Sequence, residues 1–304
     1  MVVILTILSF QCNAIHFLQK AVSLYREKLE WSYSCEKKLE VLARIEIISM
    51  KQVKNCGGII YKSAIALKLA PVLQQPAIYI ATELAKYCQE IVSLEGKKDA
   101  LNFEVEVISS GMIFFKFTGL SIANWLSFLT SVPLKGERKK LQVSVEYKSD
   151  ETTNLFLIQY SHARCCSLLL MGERDNLITL APTTLESYGQ FWFMTTADPI
   201  PWQKSHGQLQ FLDYAEYELM AEIASSLDYI YCISSFKKTI NWEKVANSLS
   251  NRFQAFYRQC RIWGKVRVEN PKLAQARLGL VLATQSLLKF LLEEKLGAPA
   301  PLEF

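Results

Sequence analysis

Histidine is scarce in this chain, and the three present stand far apart, at His16, His162 and His206. A tetrahedral metal site needs three or four converging ligands, and no two of these histidines are neighbours in sequence. Eight cysteines, at positions 12, 35, 56, 88, 165, 166, 232 and 260, contain no C-x-x-C pair. That spacing excludes a disulfide frame and a zinc ribbon and reads as the dispersed, reduced thiols of a cytoplasmic protein. Glycine is sparse, with 12 residues, and neither G-x-G-x-x-G nor G-x-x-x-x-G-K-[ST] occurs to cradle phosphates. Nor is there a long hydrophobic run. The first nineteen residues carry no charge, but the apolar stretch breaks at Gln11-Cys12-Asn13, too short to span a bilayer. No Lys or Arg precedes it and no A-x-A-like site follows, so it is read as a buried helix or a start placed too far upstream, not as a secretion signal. No charge sign dominates: 34 Lys and Arg against 29 Asp and Glu leave a net +5, compatible with a polyanionic partner without demanding one. What is plentiful is apolar surface, at 50% of residues with 12% aromatic, which excludes disorder. The 304 residues leave room for two domains.

Hydrophobic periodicity divides the chain. Ile15, Leu18, Val22, Tyr25 and Leu29 recur at helical spacing, followed by a charged, irregular stretch to about Lys54. GIIYKSAIALKLAP reads as a helix stopped by Pro71, and a second helix opens at Pro76 with Ile80, Leu84, Tyr87 and Ile91 on one face, ending at Gly96. The period then changes. FEVEV and IFFKF, separated by Ile108–Met112, predict a hairpin, and a short helix is expected around Ser121–Thr130. Between Ser131 and Thr153 the chain turns polar and basic (KGERKK), although LQVSVEY has strand character. Beyond it the patterning is helical. Asp150 is placed to cap a helix with the stripe Leu155, Ile158, His162, Cys165 and Leu169, and Gly172 just past its end. Thr183–Gly207, with Pro182, Pro199 and Pro201 about it, reads as loop. Three further helices carry Leu212 to Ile230, Val245 to Trp263, and Leu273 to Leu296. The expected fold is a small α+β N-terminal domain followed by an all-α helical bundle. Its divisions are a helical extension over 1–48, an α+β domain over 49–131, a linker over 132–153 and the bundle over 154–304.

The stretch IQYSHARCCSLLLMG (158–172) concentrates residue types that do chemistry. On a helix, however, His162 and Cys165 fall on the apolar stripe, which makes His162 a hydrogen-bonded core residue in preference to a ligand or a partner of a thiolate nucleophile. Tyr160 and Arg164 fall on the flank. They read either as a solvated Arg shielding a Tyr or as a base-stacking ring beside a phosphate-neutralising cation. On the helix 241–264 at 100° per residue, the apolar positions occupy about 80° of arc, while Arg258, Arg261 and Lys265 fall on the far face with Tyr257 at its edge. That stripe reads equally as a solvated face or as an RNA-binding one.

YSHARCCSLL closely resembles the Y-A-H-A-R-x-x-S-[IL]-L signature that opens the DALR anticodon-binding domain of arginyl-tRNA synthetases. NSLSNRFQAFYRQCRIWG resembles that family's F-x-x-F-Y-x-x-C-R-[IV]-L-G helix. ARLGLVLATQSLLKFLLEEKLGAPAPLEF is similar to its closing segment. Three motifs in order cover about 154–304. A shorter likeness, YKSAIALKLA followed by FEVEVISSGMIFFKFT, is to the family's N-terminal additional domain. The resemblance implies tRNA as partner, with tRNA-Arg the species the family reads, and no cofactor or metal in these two parts. It also implies that Tyr160 and the chain's closing residues, here Phe304, face the anticodon loop. The family usually ends in Met, and its hairpin turn is G-P-G-F where this chain has Ser110-Gly111-Met112.

Between those two parts the family carries a class I catalytic domain with an H-[IVL]-G-H motif. Here Trp125 and Leu155 are separated by 29 residues, and one βαβ unit takes roughly 30 or more. No H-x-G-H occurs. Without backbone amides and imidazoles around an α-phosphate, adenylate chemistry has no electrostatic support. The sequence therefore points to a non-catalytic tRNA-binding relative, with Tyr160, Arg164, Tyr257, Arg258, Arg261, Lys265 and Phe304 as its candidate RNA contacts. Two alternatives stay open at this point: a protein-interaction scaffold derived from a synthetase, or the tRNA-binding subunit of a split arginine–tRNA ligase working with a separate catalytic synthetase chain.

Overall fold

The computed structural model describes residues 8–32, 48–54, 57–95, 102–132, 134, 149–185, 189–204, 206–232 and 240–304. The LQVSVEY stretch lies outside them. The chain forms two compact units, Met1–Ile122 with Leu227–Lys238, and Ala123–Ser226 with Thr239–Phe304.

In the first unit, α1 (Phe10–Ser32) is followed by β1 (Met50–Gln52), β2 (Ile60–Ser63), α2 (Ile65–Leu73), α3 (Ala77–Glu95), β3 (Phe103–Val107) and β4 (Ile113–Phe117). The strands form an antiparallel sheet in the order β1-β2-β4-β3, with Phe115 opposite both Tyr61 and Val105. Alternation on β4 sends Ile113, Phe115 and Phe117 inward, where Phe103, Phe10 and Phe17 meet them edge-on at ring separations of 4.4 to 5.5 Å. The predicted β3–β4 hairpin is present. Its turn needs Gly111, because φ is +84° and a Cβ there would lie 2.7 Å from that of Ala77.

Two local expectations are corrected. The stretch from Gly58 begins as β2, not as helix, and only Ile65–Leu73 is helical. Pro71 lies inside that helix, which ends instead at Gln74 in the left-handed conformation. Part of the stretch before Lys54 is strand β1.

The second unit holds most of α4 (Gly119–Ser131), then α5 (Ser149–Arg174), β5 (Thr179–Leu185), β6 (Gly189–Thr196), most of α6 (Tyr214–Tyr231), α7 (Trp242–Gln259), α8 (Lys265–Glu269) and α9 (Pro271–Phe290). A single π-helical turn, Leu291–Lys295, continues α9. Helix α9 is capped by the Asn270 side chain, opens on Pro271, and is buried on nearly every side as the axis of the bundle. Helix α5 packs against both α7 and α9, with Ile158, His162, Cys165 and Leu169 fully buried as the stripe requires.

Small residues let α5 and α7 approach closely: Ser161 Oγ and Ser250 Oγ are 2.6 Å apart. Gly172 lies within α5 and does not cap it; a Cβ there would sit 2.8 Å from Leu278 Cδ1, so this glycine admits the neighbouring helix. The region 183–207 is not all loop, since β5 and β6 form an antiparallel ribbon added to the helical bundle. A ribbon of two strands has only edges, which is why it accepts Pro182. No helix among the described residues is long and apolar enough to cross a membrane.

Candidate nucleic-acid interface

Residues 156, 160, 164 and 168 of α5 are spaced by four, so they form one line along the helix, each about 6 Å beyond the last. At one end of the line are exposed aromatics. Phe156 and Tyr160 stack with ring centroids 6.4 Å apart and 22° between planes. The ring of Phe304 closes on both, at 5.2 Å from Phe156 and 6.4 Å from Tyr160. All three are open to solvent, at 51%, 42% and 67% of their surface. Rings gathered on a surface instead of in a core offer planar faces to a partner.

One turn along, Arg164 leaves the solvent. Its guanidinium carbon lies 4.7 Å from the Tyr257 ring centroid, and its Nη2 donates to the Tyr257 hydroxyl. Nε of Arg164 is buried and has no partner among the described residues. Tyr257 is in turn stacked on buried Phe253, at 6.4 Å and 18°. The pair is therefore held on a fixed base.

At the far end of the line Leu168 enters the wall of an open groove of about 570 Å³, together with Met171, Tyr257, Cys260, Arg261 and Lys265. Arg261 and Lys265 are exposed. The loop that carries them is pinned from two sides. The Arg261 carbonyl accepts from Nη1 of Arg277, whose Nε donates to Glu216 Oε1 at 2.6 Å in the interior. The Trp263 indole N–H donates to Asp175 Oδ2 at 2.8 Å, and Arg267 donates to the Asp175 carbonyl at 2.8 Å. The sequence reading placed Arg258, Arg261 and Lys265 on one helical face, and this is corrected. Helix α7 ends at Gln259, Cys260 is extended, Arg261 is in a loop and Lys265 starts α8. Arg258 is exposed on α7 but does not line the groove.

The side chains that looked reactive are committed to structure. Nδ1 of His162 lies 2.8 Å from the Pro301 carbonyl and Nε2 lies 2.9 Å from Nε2 of Gln285, which assigns the proton to Nδ1 and leaves Nε2 as acceptor. Burial lowers the imidazole to about 4, against the smaller opposite effect of the Pro301 carbonyl, so it is neutral near pH 7. Burial pushes the Cys166 and Cys260 thiols up to about 12, and Cys165 well above its ordinary value. None of these thiols is a thiolate at neutral pH. What the surface offers is stacking and positive charge.

Residues 158–302 match the family described as the DALR anticodon binding domain. The arginine–tRNA ligase of Synechococcus sp. (strain JA-3-3Ab) is 26% identical over 60% of this chain and 27% of its own length. The arginine–tRNA ligase of Moorella thermoacetica is 28% identical over 48% of this chain and 22% of its own length. That of Pelodictyon phaeoclathratiforme is 27% identical over 51% and 24%. The chain is a relative of the arginyl-tRNA synthetases. It spans about a quarter of the length of the curated relatives it matches. No solved structure matches it.

Against this synthetase-type domain, the candidate residues fall into two groups that the line on α5 connects. Tyr160 and Phe304 meet in the aromatic cluster, and Arg164, Tyr257, Arg261 and Lys265 meet around the groove. Phe156 was not foreseen. It stands four residues before Tyr160, just ahead of the matched region, and its spacing alone was the signal that could have found it.

Proposed function

We propose that this chain is a cytoplasmic tRNA-binding protein that takes hold of an anticodon stem-loop with its 158–302 domain and does not itself form an aminoacyl adenylate. The observation that carries the reading is the continuous line on α5 from an exposed aromatic cluster to a cationic groove. RNA loops are bound by stacking splayed bases on aromatic rings while cations follow the phosphates, and this line provides both in order. Arginine-accepting tRNA is the species suggested by the relatives' own names. The non-catalytic part rests on the short Trp125–Leu155 interval and the missing H-x-G-H motif. The cytoplasmic part rests on six described cysteines that are all free thiols.

Charge reversal tests the reading. Binding of a fluorescein-labelled tRNA to the double variant Arg261→Glu/Lys265→Glu should weaken by at least about tenfold. The slope of log affinity against log salt should become shallower by roughly one to two. Arg258→Glu, outside the groove, should do less. A double variant that binds as tightly as the unaltered chain would leave a protein-interaction scaffold as the better account.

A further inference from the structure

The segment after the last helical turn is Gly297-Ala-Pro-Ala-Pro-Leu-Glu-Phe304, and it has an unusual pair of handles. Gly297, at φ +64°, turns the chain out of the helix, and the Ala298 N–H closes the end by donating to the Leu292 carbonyl at 2.9 Å. Pro299 and Pro301 have no N–H and a restricted φ, so this stretch is stiff and presents carbonyls without competing donors. Those two carbonyls are taken by α5. Gln159 Nε2 donates to the Pro299 carbonyl at 2.9 Å, and His162 Nδ1 donates to the Pro301 carbonyl at 2.8 Å. Gln159 and His162 are three residues apart, neighbours on one helical face. Three residues past the second bond, the Phe304 ring reaches Phe156 and Tyr160.

We infer that Gln159 and His162 are positioning residues for RNA binding: they clamp the Pro-Ala-Pro segment so that Phe304 becomes the third wall of the aromatic cluster. This rests on the tRNA-binding reading above and names which side chains set the cluster's shape without touching RNA. His162 suits the task because its tautomer is fixed from behind. Gln285 donates to Nε2, which obliges Nδ1 to carry the proton and point it at Pro301. Without the clamp, an exposed Phe304 on a stretch with no further backbone bonds to the bundle has no reason to stay against α5.

The test has two readouts. A 4-fluorophenylalanine placed at position 304 reports by ¹⁹F NMR whether the ring sits against Phe156 and Tyr160, where their ring currents displace its resonance. That displacement should survive His162→Asn, whose amide keeps an N–H where Nδ1 stood. It should collapse toward the free amino-acid value in His162→Leu and in Gln159→Ala, the second being a partly exposed position that leaves folding intact. In parallel, affinity for a labelled anticodon stem-loop should drop about fivefold or more in Gln159→Ala and in Phe304→Ala, and the double variant should be no weaker than Phe304→Ala alone. An unmoved fluorine resonance in both Gln159→Ala and His162→Leu overturns the clamp. A moved resonance with unchanged RNA affinity, while Phe304→Ala does weaken binding, overturns the positioning role. If even the unaltered chain binds no RNA, the tRNA reading and the role of Phe304 fall together, while the fluorine signal still decides whether the clamp exists.

Discussion

Tyr160 and His162 stand two residues apart on α5 and answer to opposite demands. Tyr160 projects a half-exposed ring into the aromatic cluster, so Tyr160→Ala should leave the melting temperature nearly unchanged and weaken RNA binding by about 1–3 kcal/mol, measured by fluorescence anisotropy beside a thermal melt. His162 is buried with both nitrogens engaged, so His162→Ala should destabilise by about 1–3 kcal/mol through the orphaned Gln285 and Pro301 groups, plus a cavity contribution. Its burial was legible from the apolar stripe alone, but its tie to Pro301 was not, because 139 residues separate them. Arg277 shows the opposite failure of reading. In A-R-L-G-L an arginine looks like an RNA contact, yet it is 6% exposed, paired with fully buried Glu216 and bonded to the Arg261 carbonyl. Arg277→Ala leaves a buried carboxylate without its cation and should cost about 3–5 kcal/mol in urea unfolding, while Arg277→Met/Glu216→Leu should recover much of that. A loss below about 1 kcal/mol for Arg277→Ala would show that the pair is solvated.

At the scale of elements, what could be read was what has a long period and clean ends. The hairpin of β3 and β4 announced itself by alternation and a glycine turn, and α9 by its Asn-Pro start and its length. What could not be read were short elements and helix ends without punctuation. β2 has four residues and runs into α2 with no break between them, so one helical pattern swallowed both. Helix α7 stops at Gln259 with no glycine before Gly264, and continuing its wheel past that point placed Arg261 and Lys265 on a face that does not exist. They still meet Tyr257, through a pinned loop and not through helical spacing. Glycines inside helices were the other blind spot, since their purpose lies on a different element. Gly279 of α9 is the sharpest example: a Cβ there would lie 2.4 Å from Cη2 of buried Trp202 and 3.1 Å from Ile200. The indole is a rigid neighbour, so Gly279→Ala should destabilise by about 1–3 kcal/mol despite the better helix propensity of alanine, as read by urea unfolding. A neutral or stabilising effect would mean that the Trp202 segment moves freely.

For the molecule as a whole, two buried groups titrate in opposite senses. Asp228, in the first unit, accepts from Ser9 Oγ at 2.7 Å, from the Gln11 N–H at 3.2 Å and from the Tyr61 hydroxyl. Burial still outweighs these donors and raises its carboxyl to about 7. A raised carboxyl keeps a proton that the unfolded chain has lost, so its contribution to stability is full below about pH 4 and is lost as pH rises to about 7. His162 is lowered to about 4, so its contribution is full above about pH 6.5 and is lost as pH falls. Between those limits each changes by at most about 1.4 kcal/mol per pH unit and they oppose. Asp228→Asn should therefore unmask the histidine: relative to the unaltered chain, its unfolding free energy should rise with pH from about 4 to about 7. Parallel profiles for the two proteins would show that Asp228 is ionised throughout. The central claim is that a line of aromatics leading to a cationic groove makes this chain an RNA binder, and equilibrium binding to an unmodified tRNA as salt is raised from about 50 to about 200 mM tests it most directly. The account predicts saturable binding at the lower salt that weakens steeply at the higher, and that is reduced in Tyr160→Ala. Undetectable binding at the lower salt, or an affinity indifferent to salt, would contradict it.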